Sequence, residues 1–530
     1  MQTVPLNISL KTGAAFGAGL DPVRLRGELD LILQDLVLPT EVRIETRDSA
    51  DLKSNDFVIF FDGYPCPHCR RRDDPGPQDT PVREIVREVQ ANLDSLVTRS
   101  IADALWRAWS GAQRPAPDQF INLLRRLARY RVRTDRVAKH VRLWNETDPE
   151  AVFEEALSDA GRHIEIELHP VTCAELAPQL ADSGGLIPMM IDRLFYELGI
   201  HAGPCIPKVG QSVARNEVRL RINDVRTSAE VVIGSDECLI NDTVDRLKLL
   251  NIEGRKALNP TNGNECAIIP LASKDICEQC GLTTWTNAGY LILVMAVAIR
   301  RAAPMLISSD MAEFCLNGLE DAFPVLIKLV SARVGITRVA RVLRTLLEEE
   351  ISIRDLPRIL DRLLTIPPHT AIDLSEFIIF PSTWGCIRPH LSLNIEERDR
   401  TIIELAECAR MSQKAYISHK YTRGQNTLIV YLLDPKLEER LANSRPLTEG
   451  ESQSLLDAVS AEVGSLPPTA ANPVLLTTDS VRYRLRRELR GAFPDLAVLS
   501  YQELSPEMNI QPIARVDWDD APQNSDRSLR

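Results

Sequence analysis

Excess positive charge, a dense cysteine framework, a secretory leader and a long apolar run are all missing from this sequence of 530 residues. Its 62 Lys and Arg stand against 74 Asp and Glu, and the net charge of −12 excludes a chain that coats nucleic acid or an anionic membrane over its whole surface. The eleven cysteines are spread thinly, without the close spacing of a small disulfide-built secreted domain, which fits a reducing cytoplasm. The opening MQTVPLNISLKTG lacks the basic-then-apolar plan of a signal peptide. The most apolar run, AGYLILVMAVAI at 288–299, is closed by Arg300-Arg301 and falls short of the roughly 18–20 residues that cross a bilayer. It is expected to be a buried helix, so no membrane span is expected. Catalytic signatures are lacking too: no Gly-x-Ser-x-Gly elbow, no His-Glu-x-x-His run, and a Gly13-x-x-x-Gly17-x-Gly19 stretch without the Lys-Ser/Thr of a phosphate loop. That stretch is expected to be a turn, and neither an enzyme site nor a cofactor is expected.

What is present is ordinary globular composition, 44% hydrophobic and 26% charged, enough for several self-sufficient domains. The organising stretch is 336–364. Ile336, Val339, Leu343, Leu346 and Leu347 recur at helical spacing, which predicts a buried face with Arg338, Arg341 and Arg344 lying off it. After Glu348-Glu349-Glu350, Ser352-x-x-Asp355 has the form of a capping box, predicting a second helix from about Ser352 that carries Leu356, Ile359, Leu360 and Leu363. Two helices and a tight turn are compatible with a DNA reader or with a packing subdomain.

The pattern predicts an α+β multidomain chain, with small α/β domains of ferredoxin-like type around a central helical domain. Residues 1–64 form an α/β domain: a strand at 4–10, the glycine-rich stretch, a helix over 22–36, and strands at 40–46 and 55–61 ending at the Asp62-Gly63 turn. A proline-containing linker at 65–80 precedes a helical domain at 81–150, with helical runs over 82–109 and 120–144. An α/β domain with a β-rich insert follows at 160–285, then a helical domain at 286–366 that ends in the linker IPPHTAID. A C-terminal ferredoxin-like domain occupies 390–517, and the polar residues 518–530 are expected to be a disordered tail. The strand NEVRLRIND at 216–224 alternates apolar and charged residues, so one of its faces is solvated or turned toward a partner.

A degenerate internal duplication is also expected. Gly19-Leu20-Asp21-Pro22 matches Gly185-Leu186-Ile187-Pro188, the strand at 55–62 parallels 216–223, and 131–139 resembles 333–341, in the same order. On this reading 1–64 is a shortened copy of 160–228 and 81–150 a partial copy of 285–345, with 229–285 lacking a counterpart in front.

Two clusters carry potential chemistry. Cys66-Pro67-His68-Cys69 has the spacing of a redox dithiol or half a zinc site, and Cys277-Glu278-Gln279-Cys280 could supply a second half. Incidental loop cysteines are the simplest explanation of both, ahead of a metal site and of a catalytic dithiol, and no metal is assigned to Cys66, Cys69, Cys277 or Cys280. The basic run at 125–142 holds Arg125, Arg126, Arg129, Arg131, Arg133, Arg136, Lys139 and Arg142, with only Asp135 opposing. It could meet phosphate, an acidic protein surface or the chain's own domains, or simply be a solvated helix face.

Four stretches, in order, resemble the cytoplasmic half of the FHIPEP family, the export-gate protein of flagellar and virulence type III secretion. They are LGI with NEVRLRINDV (198–200 and 216–225), LLEEEISIRDLPRILDRL (346–363), LLDPKLEERL (432–441) and PVLLTTDSVRYRLRRELRGAFPDLAVLSYQEL (473–504). The resemblance spans about 163–517. It implies small α/β domains around a helical one of winged-helix character, and a ring of such halves that receives secretion substrates, often chaperone-bound. No catalytic residues are implied. Two departures are evident. The family's multi-span membrane half has no counterpart here, with the front copy in its place, so this chain is not expected to form the channel itself. The family's Asp-Pro-x-Phe docking stretch is replaced by Asn259-Pro260-Thr261-Asn262, without the acid or the aromatic anchor, so docking residues are not carried over. The expectation is a cytoplasmic, non-enzymatic platform for protein export that docks secretion substrates, chaperones or other proteins, with a homo-oligomer among its partners. The alternative is a nucleic-acid-binding regulator using 336–364 or 125–142.

Overall fold

The computed structural model describes residues 3–49, 52, 56–66, 80–146, 148–160, 164–181, 185–210, 213–261, 263–365, 395–422, 424–443, 445, 447–463, 474–493 and 496–517. Most of the linker at 65–80, the linker at 366–373 and the tail at 518–530 lie outside the described residues. Two compact units divide the chain, the main boundary falling between Leu306 and Ile307.

The first unit opens with a four-stranded sheet of order β2-β1-β3-β4, made of β1 (Val4–Thr12), β2 (Thr40–Asp48), β3 (Phe57–Phe61) and β4 (Tyr64–Pro65). β1 runs parallel to β2 and antiparallel to β3. Alternation sets its faces: Leu6, Ile8 and Leu10 are buried against Leu25, Leu29 and Ile32 of the helix Pro22–Asp35. That helix starts where the sequence directs, since Asp21 Oδ1 accepts from the N–H groups of Val23 and Arg24, and Pro22 occupies the first turn. Gly13 to Gly19 forms a one-turn helix, Ala14–Ala18, rather than a plain turn. A Cβ on Gly17 would come within 2.8 Å of Thr12 Oγ1, so only glycine permits that approach.

The helical runs that follow are more broken than expected. Residues 82–109 form two helices, Pro81–Ala91 and Arg99–Ser110. Asn92 ends the first by bonding its side-chain amide back to the Glu88 carbonyl. Beyond the helix Asp118–Arg129, Arg131 takes a left-handed φ of 60° and residues 134–146 wind as a 3-10 helix.

The middle sheet has order β6-β5-β7-β8, from β5 (Ile164–Leu168), β6 (Cys205–Val209), β7 (Glu217–Ile222) and β8 (Val225–Arg226), with β9 (Glu230–Val231) also on β7. β5 is parallel to β6 and antiparallel to β7. Strand order and sense thus match the front sheet, and both hairpins turn through a residue of left-handed φ, Asp62 in front and Asn223 here. The insert is a separate antiparallel sheet, order β11-β12-β10-β13, from β10 (Glu237–Ile240), β11 (Arg255–Leu258), β12 (Glu265–Pro270) and β13 (Thr284–Thr286). Between the sheets runs the helix Asn287–Ala302, started by the Thr286 side chain and prolonged to Leu306. With that extension it is long and apolar enough to cross a bilayer, which corrects the shorter span read from sequence. Its Ala288, Leu291, Met295 and Ile299 are buried, as in a core helix.

In the second unit the helices Ser309–Glu320, Pro324–Arg333, Ile336–Leu347 and Leu356–Leu364 precede Ile395–Ser412 and Lys414–Thr422. The helix at 336 buries Val339, Leu343, Leu346 and Leu347 as expected, whereas Ile336, at its first position, is only half-buried and Arg344 is buried as well. The second helix begins at Leu356, not Ser352. The Ser352 hydroxyl instead accepts from the Arg354 N–H, and Ile351 and Ile353 are buried in the connection between the two helices. The C-terminal sheet, order β16-β15-β14-β17, comprises β14 (Thr427–Leu433), β15 (Val474–Thr477), β16 (Ala497–Ser500) and β17 (Asn509–Val516). All its pairings are parallel. The ferredoxin-like expectation is therefore corrected: that fold needs antiparallel neighbours, whereas here helices cross between β14, β15 and β16 in the manner of an α/β crossover sheet. No strand is described between Ser309 and Leu364.

Gly335 caps the helix Ile336–Leu347 at φ 87°, ψ 145°, a conformation open to glycine alone. A Cβ there would meet nothing within 4 Å, so Gly335→Ala isolates backbone strain. It is expected to cost about 1–3 kcal/mol, read as a lowered unfolding transition of the second unit.

Candidate docking surfaces and the ion pairs that frame them

β7 carries Glu217, Arg219 and Arg221 on one face and Val218, Leu220 and Ile222 on the other. Register places Glu165 opposite Arg221 and Glu167 opposite Arg219, so the outer face of the middle sheet is a lattice of alternating charge. The partner that the alternation at 216–224 calls for is the chain's own front region. Arg24, Glu28 and Asp35 share one side of the helix Pro22–Asp35 and meet Glu217 at 3.0 Å, Arg219 at 2.8 Å and Arg226 at 2.7 Å. Arg219 is bound by both oxygens of Glu28, and its side chain is 2% exposed. From the next helix Arg83 reaches Glu217 at 3.3 Å, and Gln90 donates to the Arg226 carbonyl. Burial would lower the charge affinity of Arg226, but Asp35 and Glu167 outweigh it and hold the guanidinium above its ordinary range.

The basic run at 125–142 is largely absorbed by the same fold. Arg126 pairs with Glu150, Arg129 with Asp94, Arg133 with Asp135, Arg136 with Asp224 and Lys139 with Glu155. Arg131 donates to Gln90 and to the Arg226 carbonyl, both neutral, and burial pushes it down to about 10. These side chains secure the hairpin β7–β8 and the helices around it.

The second unit has a buried counterpart. Arg482 donates to Glu349 at 2.7 and 3.0 Å, to Glu407 at 2.6 Å and to the Val498 carbonyl. Arg410 forks onto Glu503 and reaches Glu349 at 3.1 Å. Two arginines and three glutamates from the helical pair, the helix Ile395–Ser412, the helix Asp479–Leu489 and the turn after β16 thus meet in one cluster. Burial alone would raise Glu349, but Arg410 and Arg482 outweigh it and hold it down to about 2. At Glu407 burial prevails over Arg482 and the carboxyl is raised. Nothing in the sequence marked Glu407, Arg410 or Glu503 as partners of the EEE run, because they converge only through tertiary packing.

The cysteine motifs are not brought together. Cys66 lies in the front core, Cys69 is outside the described residues, and Cys277 belongs to the small core of the insert with Cys238 and Ile240. Burial pushes the Cys277 thiol up, away from the thiolate a dithiol or zinc site uses, while Cys280 is exposed. Among the described residues no group of three or more His, Cys, Asp or Glu is placed to hold a metal. Asn259 heads the β11–β12 turn, its Oδ1 accepting from the Thr261 N–H; Asn262 is outside the described residues. The helices at 244–247 and 274–279 pack Leu247 and Cys277 on one face of the insert sheet. Outside that core the insert exposes Leu249 (83%) and Ile276 (53%), two apolar side chains that sequence reasoning missed.

These features define a mixed α/β protein of small modules held by ion pairs. The chain belongs to the FHIPEP family, whose profile matches residues 126–378 and 387–509. It is 26% identical over 320 residues to the Low calcium response locus protein D of Yersinia pestis, covering 56% of this chain and 41% of that protein. It is 24% identical over 351 residues to the flagellar biosynthesis protein FlhA of Bacillus subtilis, covering 63% and 48%. The chain thus spans half the length of these curated relatives or less. Among solved structures it resembles the Chlamydia pneumoniae CdsV protein, with a TM-score of 0.55 at 26% identity, over 67% of this chain and 97% of that one. CdsV in complex with CdsO matches at 25% identity with the same TM-score.

Arg482→Met leaves Glu349 and Glu407 buried with one guanidinium fewer and should destabilise the second unit by about 3–5 kcal/mol; Arg482→Lys should not rescue it, lacking the two-pronged fork. Because Glu349 is held low, its stabilisation is complete above the unfolded carboxylate value and lost as pH falls toward about 2. Glu407 acts oppositely, so acid should unfold this unit below about pH 4.5 rather than near 6, a profile checked by hydrogen exchange on residues 336–364 against pH. For the first unit, Arg219→Met should speed amide exchange in residues 22–35 and 81–91, and the exchange Glu28→Arg with Arg219→Glu should restore part of the protection.

Proposed function

We propose that this chain is a non-enzymatic docking platform of a protein-export apparatus, working in the cytoplasm. The observation that carries this is the family match across 126–378 and 387–509, together with a fold shared with CdsV. A complex of CdsV with a second protein, CdsO, supports protein docking as the use of such a fold. Secretion substrates and their chaperones are the partners that the family resemblance implies. The exposed Leu249 and Ile276 make the insert module the docking surface of choice, since the family's acid and aromatic anchor are replaced at Asn259-Pro260-Thr261-Asn262. We further infer that the front region arose by duplication of the middle one. Support comes from the shared strand order and sense of the two sheets, the left-handed hairpin residue in each, and the sequence matches between them. In this reading the front copy occupies the charged face of the middle sheet as a built-in partner.

No observation favours the nucleic-acid alternative: the strongest basic run spends most of its charge on carboxylates of its own unit. The platform reading is tested by mass spectrometry of proteins retained on the full chain from native lysate. Components or cargo of an export apparatus are expected, and Leu249→Asp with Ile276→Asp should reduce their recovery at least about tenfold at unchanged fold. Retention of DNA in their place, or of no export protein, sinks the reading.

A further inference from the structure

β2 is nine residues long and forms the outer edge of the front sheet. Val4 donates to the Pro39 carbonyl and Ser49 to the Thr12 carbonyl, and the β1–β2 register is unbroken between them. Odd-numbered residues of β2 therefore bond to β1, while the even-numbered 40, 42, 44, 46 and 48 turn their N–H and C=O groups outward. Thr40 turns its N–H back onto the Leu38 carbonyl at 2.9 Å; among the described residues no other backbone hydrogen bond uses the outward groups of that edge. Strand edges of this length are commonly blunted by a bulge, a proline or a run of one charge. β2 has neither bulge nor proline, and its outer-face charges alternate in sign: Glu41, Arg43, Glu45, Arg47. All four are more than half exposed, and among the described residues they pair only along their own strand, at 3.7 and 3.2 Å.

That pattern is self-complementary. If a second β2 lies antiparallel with Ile44 on the two-fold axis, Glu41 faces the partner's Arg47 and Arg43 faces the partner's Glu45, each reciprocated. Every outer-face contact then joins opposite charges. The outward-bonding residues fall at hydrogen-bonded positions, Ile44 with its own copy and Val42 with the partner's Thr46. The charges fall at the alternate positions, where side chains approach most closely. Ile44 and Val42 lie on the apolar face, so the joined sheet would be continuous in hydrophobicity as well as in charge. Shifting the register by two residues sets Arg43 against the partner's Arg47 and Glu45 against its own copy, like charge against like, so this alignment is the one the charges select.

We propose that β2 is a homodimerisation edge: two copies of this chain join their front sheets, β2 against β2, into one eight-stranded sheet about a two-fold axis. This rests on the edge geometry and charge order of β2 and does not depend on the docking-platform reading.

The test measures the mass of the full chain by sedimentation as a function of concentration. The wild type should dimerise. Arg43→Glu with Arg47→Glu, and separately Glu41→Arg with Glu45→Arg, place like charges across the axis and should each raise the dissociation constant at least about tenfold. Mixing the two variants should restore a heterodimer, since all-acidic then faces all-basic. As a second arm, the hydrogen-bonded pair at position 44 brings Cα atoms to about 5.5 Å, within disulfide range. Ile44→Cys should therefore give a covalent dimer under mild oxidation that the wild type, with its native cysteines, does not. A monomeric wild type at the highest soluble concentration overturns the proposal. So does self-association that survives either charge reversal, or a mixture that stays dissociated while Ile44→Cys fails to cross-link.

Discussion

A guanidinium withdrawn from water has to be met by acceptors from other elements, because leaving it alone costs several kcal/mol. Both units are arranged around that requirement. Arg219 is bound by Glu28 across nearly two hundred residues of chain, and Arg482 by Glu349 from the turn after the helix Ile336–Leu347 and by Glu407 from the helix Ile395–Ser412. Such pairs add little net stability over an apolar core of the same shape. Their value is that they permit one arrangement: a helix shifted along the middle sheet would align like charges with like.

This explains how the front region, which buries a large apolar core of its own, meets the middle sheet chiefly through charge and not through a second apolar face. The middle sheet's outer face is charged, and a charged sheet face in water needs no cover. A helix with Arg24, Glu28 and Asp35 on one side converts it into an interface. Helix and sheet need only match in sign and spacing, a smaller demand than the close packing of two apolar faces. The hairpin β7–β8 gains a second role, as Asn223 donates to the Tyr130 and Met305 carbonyls and Asp224 takes Arg136. A strand-and-turn motif of the family thus becomes the bracket on which front helices and the long apolar helix are hung.

The ion cluster of the second unit gives the stretch 336–364 its place. As a bare helix pair it was ambiguous between packing and DNA reading. Glu349 gives it a packing role, sitting in the turn between the helices and holding two arginines from the C-terminal part of the chain. The pair is a hub, and its buried Arg344 is consistent with that. The opposite directions at Glu349 and Glu407 follow from their partners: Arg410, Arg482 and Arg486 together outweigh burial at Glu349, whereas at Glu407 burial outweighs Arg482 and Arg410.

What the sequence determined by itself was local and periodic. Strand-forming runs placed β1, β2 and β3, alternation placed β7, helical spacing placed the core of 336–347, and ordered motifs identified the family. Helix ends were less legible, since Asn92, Arg131 and Ser352 act through side-chain bonds or backbone angles that a pattern of apolar residues does not record. Strand direction was not legible at all, because parallel and antiparallel strands have the same period; hence the all-parallel C-terminal sheet in place of a ferredoxin-like one. The partners of each charge were decided only by the tertiary structure. An arginine's spacing shows which face it is on, but the carboxylate that meets it can lie anywhere in the chain, and only folding brings Glu28 to Arg219 or Glu349 to Arg482.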